Sequence, residues 1–291
     1  MNHSASEGST RRIVVGLRAT PEIDPLLDAA TKLAAAIEAE LIGLYAHEDA
    51  MIDLAALPFA RALEPGTARS EPLTSAAMAK AIKQGAITCR RELSVHAKKA
   101  RVNWSFSAAH GELNAMIRST VAQGDILVLS ADRVGFSSRR LIEEVRRVPT
   151  DVGGILVATP VHAAAPLGPV LAVDDGDASG RATVALASRI AKVSGVPINL
   201  LVIAATDAMA DRIIQRAHGL VSAGQSLEIH RVAPGNPQAI VGAFLQLQPS
   251  FIVVDKEGEP FGDDETARSL VRAAQAPIVL VRSRAAAARS N

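Results

Sequence analysis

The sequence is poor in cysteine, in aromatic residues and in any excess of charge. A single cysteine, Cys89, in 291 residues excludes a disulfide framework and any zinc site built on cysteines. It also fits a reducing compartment. One Trp, one Tyr and six Phe leave few ring platforms on which bases could stack, which argues against a single-strand nucleic-acid binder. Lys and Arg number 31 against 30 Asp and Glu, so no global field draws the chain to nucleic acid or to an anionic membrane. No apolar run reaches the length of a membrane span, and residues 1–10 are polar, without the apolar stretch of a signal peptide. The expectation is a cytoplasmic protein without nucleic-acid or membrane partners. Missing too are Gly-x-Gly-x-x-Gly, a Walker loop, His-Glu-x-x-His and Gly-x-Ser-x-Gly, so no enzyme is expected and no metal site is read.

What is present is core. Hydrophobic residues make up 48% of the chain and mean hydropathy is +0.19, ample for burial and incompatible with disorder. Continuous apolar runs of strand length stand at 13–15, 41–45, 126–129, 155–157, 170–173, 198–203, 251–254 and 278–281. Continuous rather than alternating runs are the mark of parallel strands covered on both faces. Between them lie alanine-rich stretches with helical spacing. One places Leu26, Leu27, Ala30, Leu33, Ala34 and Ile37 on a single stripe. A second does so with Val184, Leu186, Ala187, Ile190 and Val193. Strand–helix alternation of this kind predicts an open α/β sheet.

The chain reads as one unit written twice. Residues 13–18 align with 170–175, 110–113 with 234–237, and 155–160 with 278–283. The change in offset gives the first copy about 33 extra residues, placed within 49–100, whose start (Pro58, Pro65, Gly66, Pro72) reads as a loop. The expected domains are 11–160 and 169–284, joined by the short proline-flanked linker 162–169. A period this long is a tandem duplication rather than a solenoid.

Three stretches carry a family resemblance: Val170-Leu171-Ala172-Val173-Asp174-Asp175-Gly176-Asp177-Ala178-Ser179, Gly111-Glu112-Leu113 followed by Asp125-Ile126-Leu127-Val128-Leu129-Ser130, and Ala276-Pro277-Ile278-Val279-Leu280-Val281. In this order and duplicated, they resemble the universal stress protein family in its tandem form. The resemblance implies two doubly wound, flavodoxin-like domains, also described as adenine-nucleotide alpha-hydrolase-like. Each would have a five-stranded, mostly parallel sheet. They would pair about a pseudo-two-fold axis through closing strands at 154–159 and 277–282. It also implies a stress-response or regulatory role through protein contacts, an intramolecular pseudo-dimer and room for a homodimer.

ATP-binding members of that family carry Gly-x-x-Gly, nine residues and Gly-Ser or Gly-Thr after the fourth strand. Such a loop lets backbone amides approach phosphates at a helix N-terminus. Neither copy here has it. The first copy has one glycine, Gly135, among Arg133, Ser137, Ser138, Arg139 and Arg140. The second, 255–265, carries six carboxylates, which would repel a triphosphate. The second keeps Asp174, followed by Asp175, where the family's base- or ribose-contacting aspartate sits; the first has Arg18 nearby instead. Were ATP or AMP to bind, the contacts would be Asp174, Asp175, Arg133, Ser137, Ser138 and Arg139. The expectation is a degenerate ATP site in both copies and no cofactor. The alternative is a sensor of AMP, ADP or ATP in one retained crevice.

Other features have plainer readings. Asp174, Asp175 and Asp177 would cap a helix, or alternatively serve a phosphohydrolase. A basic cluster on a helix expected at 74–100 (Lys80, Lys83, Arg90, Arg91, Lys98, Lys99, with Arg101 following) reads as a solvated face, or as a dock for the acidic loop of another copy. Trp104 and Phe106 alternate into a core, Cys89 fills one, and His110 is a turn residue at a position able to face a ligand.

Overall fold

In the computed structural model, the described residues are 11–20, 23–47, 49–63, 70–130, 138–148, 152–158, 168–177 and 179–282. The first half runs β1 (Arg12–Gly16), α1 (Ile23–Ile37), β2 (Glu40–His47), α2 (Asp49–Ala55), β3 (Arg61–Leu63), β4 (Ser70–Pro72), α3 (Ser75–Ala100), β5 (Trp104–His110), α4 (Leu113–Thr120), β6 (Ile126–Ser130), α5 (Ser138–Arg147) and β7 (Gly154–Ala158). The second half follows as β8 (Val170–Asp174), α6 (Gly180–Ser194), β9 (Ile198–Ile203), α7 (Asp207–His218), β10 (Leu227–Val232), α8 (Pro237–Leu247), β11 (Phe251–Asp255), α9 (Glu259–Gly262), α10 (Asp264–Ala273) and β12 (Ile278–Val281).

All the apolar runs named above are strands. Ten strands form one sheet in the order β10-β9-β8-β11-β12-β7-β6-β1-β2-β5. Every pairing in it is parallel except β7 with β12, where Ile278 faces Val157 and Val281 faces Gly154. That one antiparallel seam makes the halves mirror each other's strand order about a pseudo-two-fold axis. It forms because β7 and β12 are wholly apolar and buried along their length, so both must be covered on both faces and along both edges.

Two apolar layers clothe the sheet, and each runs through both halves. Side chains of α1, α3, α6 and α7 pack on one face, and those of α4, α5, α8 and α10 on the other. Across the seam α1 meets α6 and α5 meets α10. On the second pair Arg146 donates from Nε to Asp264 at 2.6 Å. The α1 stripe is buried as read. In α6, Val193 is 50% exposed, because Ala191 takes the inward position in the last turn.

The added residues of the first half are more structured than their prolines suggest. They contain α2 and the β3–β4 hairpin, which leads into the 26-residue α3. Thr74 caps α3 by accepting the Ala77 N–H at 3.2 Å. Gly85 is needed within it, since a Cβ there would stand 2.7 Å from the Tyr45 hydroxyl oxygen. Cys89 faces the core from the same helix, and burial pushes its thiol up to about 11. Trp104 and Phe106 pack against that core from β5.

Candidate functional site

In doubly wound sheets ligands sit at the carboxyl ends of the strands, where the strand order reverses. That point lies between β1 and β6 in the first half and between β8 and β11 in the second.

Among the described residues, the first-half crevice holds a cavity. A cavity of about 180 Å³ lies at the ends of β1 and β6, with Gly16, Arg18, Ile117, Val128, Ser130 and Glu144 among its walls. Most of its lining is apolar. At Gly16 a Cβ would come within 3.0 Å of Ile117 and 3.1 Å of Leu113, so the glycine lets α4 close down on the strand end. The sequence-derived contacts Arg133 and Ser137 lie outside the described residues, as do residues 162–167 of the linker. Ser138 and Arg139 open α5, and only their backbone is described.

The second-half crevice is filled from within. Asp174 ends β8 with its side chain fully buried. Arg216, reaching over from α7, donates from Nη2 to its two oxygens at 2.7 and 2.8 Å, and the Gly176 N–H donates at 2.9 Å. The pair fits because residue 180 is glycine: a Cβ there would collide with Asp174 and stand 2.7 Å from Arg216 Nη2. Asp175 accepts the N–H of Asp177 at 3.3 Å and that of Glu259 at 3.0 Å. Asp255, ending β11, accepts the Ser179 hydroxyl and the Glu257 N–H, the latter at 3.0 Å. Glu259 in turn accepts the N–H of Gly235, in the turn before α8.

The acidic segment after β11 is thus laced across the first turn of its own half. Gly258 lets it approach, since a Cβ there would lie 2.9 Å from Asp175 Oδ2. None of the three aspartates is the N-cap of α6, unlike the plain reading of the sequence; Asp175 instead takes the first N–H of α9, from Glu259. The N-cap of α6 is Ser179, without a side-chain cap bond. Asp174 and Asp175 instead accept backbone N–H groups two residues on, which closes the turn.

The electrostatics follow from burial. Asp255 is held above the usual carboxylate range, chiefly by desolvation; the Ser179 and Glu257 hydrogen bonds oppose the shift, and the Asp175 and Glu257 charges add to it. Lys256, 7% exposed, is pushed down to about 8 by burial and then by Arg282 and Arg146. A nucleotide entering here would have to break the Asp174–Arg216 pair and lay its phosphates against Asp175, Asp255, Glu257 and Glu259. These residues do not suit one. Among the described residues no group of three or more His, Cys, Asp or Glu gathers to hold a metal ion. No described helix is long and apolar enough to cross a membrane.

Sequence reasoning missed Arg216, Ser179 and Glu259 as members of this network. The only local hints were Gly180 and Gly258, glycines in segments where a side chain would otherwise be expected.

No protein-family profile and no curated protein sequence matches the chain. Solved structures do. A universal stress protein from Archaeoglobus fulgidus DSM 4304 is 14% identical, covers 94% of this chain and 96% of its own, and superposes with a TM-score of 0.59. The cytoplasmic domain of a prokaryotic cation chloride cotransporter is 12% identical over 93% of this chain and 95% of its own, with a TM-score of 0.57. A functionally unknown protein from Pseudomonas aeruginosa PAO1 is 13% identical over 97% and 95%, also at 0.57. At such identities the shared property is the fold, over nearly the whole length. The chain has the universal stress protein fold, with two five-stranded units merged into one sheet.

Proposed function

We propose that this chain is a non-catalytic regulatory or stress-response protein of the tandem universal stress protein kind, acting through contacts with other proteins. Its domains are 11–160 and 169–284. The observation that carries this reading is the internal engagement of Asp174. The carboxylate that would contact a nucleotide is buried, ion-paired and hydrogen-bonded, and the loop that would hold phosphates is acidic and tied down. The same burial argues against a phosphohydrolase using Asp174, Asp175 and Asp177, since the Asp174 side chain is closed off from solvent and both its oxygens are held by Arg216.

A second reading rests on the first-half cavity: a sensor that takes a small adenine nucleotide there. At about 180 Å³ the cavity is below the roughly 300–1,000 Å³ of ordinary ligand pockets. Thermal unfolding with ATP, ADP, AMP and cyclic nucleotides, with and without magnesium, separates the two. The regulatory reading expects no shift with any of them. A saturating ligand at 100 times its Kd would add about 2.7 kcal/mol and establish the sensor instead.

A further inference from the structure

The function proposed above leaves the outer face of α3 unused. The helix has 26 residues, a length of about 39 Å, and turns Cys89, Leu93 and Ala97 into the core. Its outer side carries six cations, Lys80, Lys83, Arg90, Arg91, Lys98 and Lys99, all exposed, against a single carboxylate in the helix, Glu92. Of these six only Arg91 has an ion pair among the described residues, with Glu92 at 2.6 Å. With about 3.6 residues per turn, Lys80, Ile87, Arg91 and Lys98 fall along one line of the helix, flanked by Lys83 and Arg90 on one side and Val95 on the other. Ile87 and Val95 are 51% and 54% exposed.

The corresponding second-half helix is built differently. In α7, Asp207 and Asp211 balance Arg212 and Arg216, and the two aspartates pair with Arg231 at 3.2 and 2.8 Å. On α3, like charges three residues apart, as at Lys80 and Lys83, work against the helix, and two large apolar side chains stand in water among them. An acidic surface with apolar residues of its own relieves both. The acidic segment of a second copy does not supply one. Its Asp255, Glu259, Asp263 and Asp264 are engaged within their own chain, by Glu257, Gly235, Thr266 and Arg146. Nor does α3 contain a Phe, Tyr or Trp to stack on a base or to sit at a lipid interface.

We infer that the outer face of α3 is the docking surface for a partner protein, which lays a helix with an acidic face along it and sets apolar side chains against Ile87 and Val95. The inference rests on the regulatory reading above and gives that reading a surface and a class of partner. The spacing suits a helix, since Lys80 to Ile87 and Arg91 to Lys98 are each one heptad. Charges flanking an apolar seam of this kind set partner choice and orientation. The surface belongs to the first half alone.

The test places a photoreactive amino acid at Ile87 of the full chain in the cells that make it, with Leu245, 50% exposed on α8, as the control position. After irradiation, the peptide joined at position 87 is sequenced. The expected peptide is rich in Asp and Glu, has apolar residues at helical spacing, and is captured from Ile87 but not from Leu245. The same peptide, synthesised, should bind the purified chain, and Lys83→Glu combined with Arg90→Glu should weaken that binding by about tenfold or more. The double variant should unfold no earlier than the native chain, because it removes the repulsion between Lys80 and Lys83. The inference fails if Ile87 captures no protein, captures nucleic acid or lipid, or captures a segment without acidic residues. It fails equally if Leu245 captures the same peptide, or if the double variant binds like the native chain. Capture of a protein from Leu245 alone would overturn this surface and leave the regulatory reading standing. Capture from neither position, with a nucleotide-induced thermal shift, would overturn both.

Discussion

The two crevices sit at equivalent points of one sheet and are treated in opposite ways. At the end of β1 the first half has Gly16, then exposed Arg18, beside a cavity bounded largely by apolar side chains. At the end of β8 the second half has buried Asp174 held by Arg216, with an acidic segment tied over it by Asp175 and Glu259. The difference shows what a duplicated fold permits. Both copies keep the strands and covering helices that bury the core, while the loops at the carboxyl edge are free to diverge. One copy has turned its polar residues inward to make structure. The other has a cavity among its described residues at that edge and carries the added α2, β3–β4 hairpin and long α3.

The largest expected effect of breaking this contrast is at Arg216. Arg216→Ala strands a fully buried carboxylate, and denaturant unfolding should show a loss of about 3–5 kcal/mol. Arg18→Ala, at the exposed first-half position, should stay within about 0.5 kcal/mol. Equal losses at both positions would mean that the two crevices are built alike.

Lys256→Met should come next, and its effect should depend on pH. The folded value lies near 8, below the ordinary 10.5, so the folded state binds fewer protons than the unfolded state between these two values. Charged Lys256 therefore burdens the fold in full below pH 8, and the burden is relieved as pH rises from 8 towards 10.5. The methionine variant should be more stable by about 2 kcal/mol at pH 6–7, with the gain shrinking above pH 8. A gain independent of pH would exclude this cause.

Gly258→Ala should cost about 1–3 kcal/mol by pressing a methyl group against Asp175 and Asp255, measured by the same unfolding. Gly16→Ala should cost less, because the atoms it meets are the flexible ends of Leu113 and Ile117. It should nonetheless weaken any ligand of the first-half cavity, which a binding titration would detect.

The sheet was legible in the sequence because continuous apolar runs this short have few uses other than buried strands. The seam was expected from the family resemblance, and it agrees with Gly154–Ala158 and Ile278–Val281 having no polar side chain to face water along an open edge. Helix α3 was legible from Thr74 onwards for the same kind of local reason, a capping residue followed by a long run of helix formers. The site was less legible because its partners are far apart in the chain. Asp174 and Arg216 are separated by 42 residues and Ser179 and Asp255 by 76, and no local spacing encodes either pair. A row of aspartates after a strand looks solvated or helix-capping from sequence, yet here one member is the most buried carboxylate of the half. The α2 segment and the hairpin escaped notice because Pro58, Pro65 and Pro72 in and around them, and the shortness of the strands, resemble loop composition.

The central claim is that the second-half crevice is closed by the chain's own residues. Hydrogen–deuterium exchange of the intact chain, with and without excess ATP and magnesium, tests it most directly. The prediction is that peptides spanning 170–180 and 250–262 exchange at the same rate in both conditions. Nucleotide-dependent protection of those two peptides would contradict it.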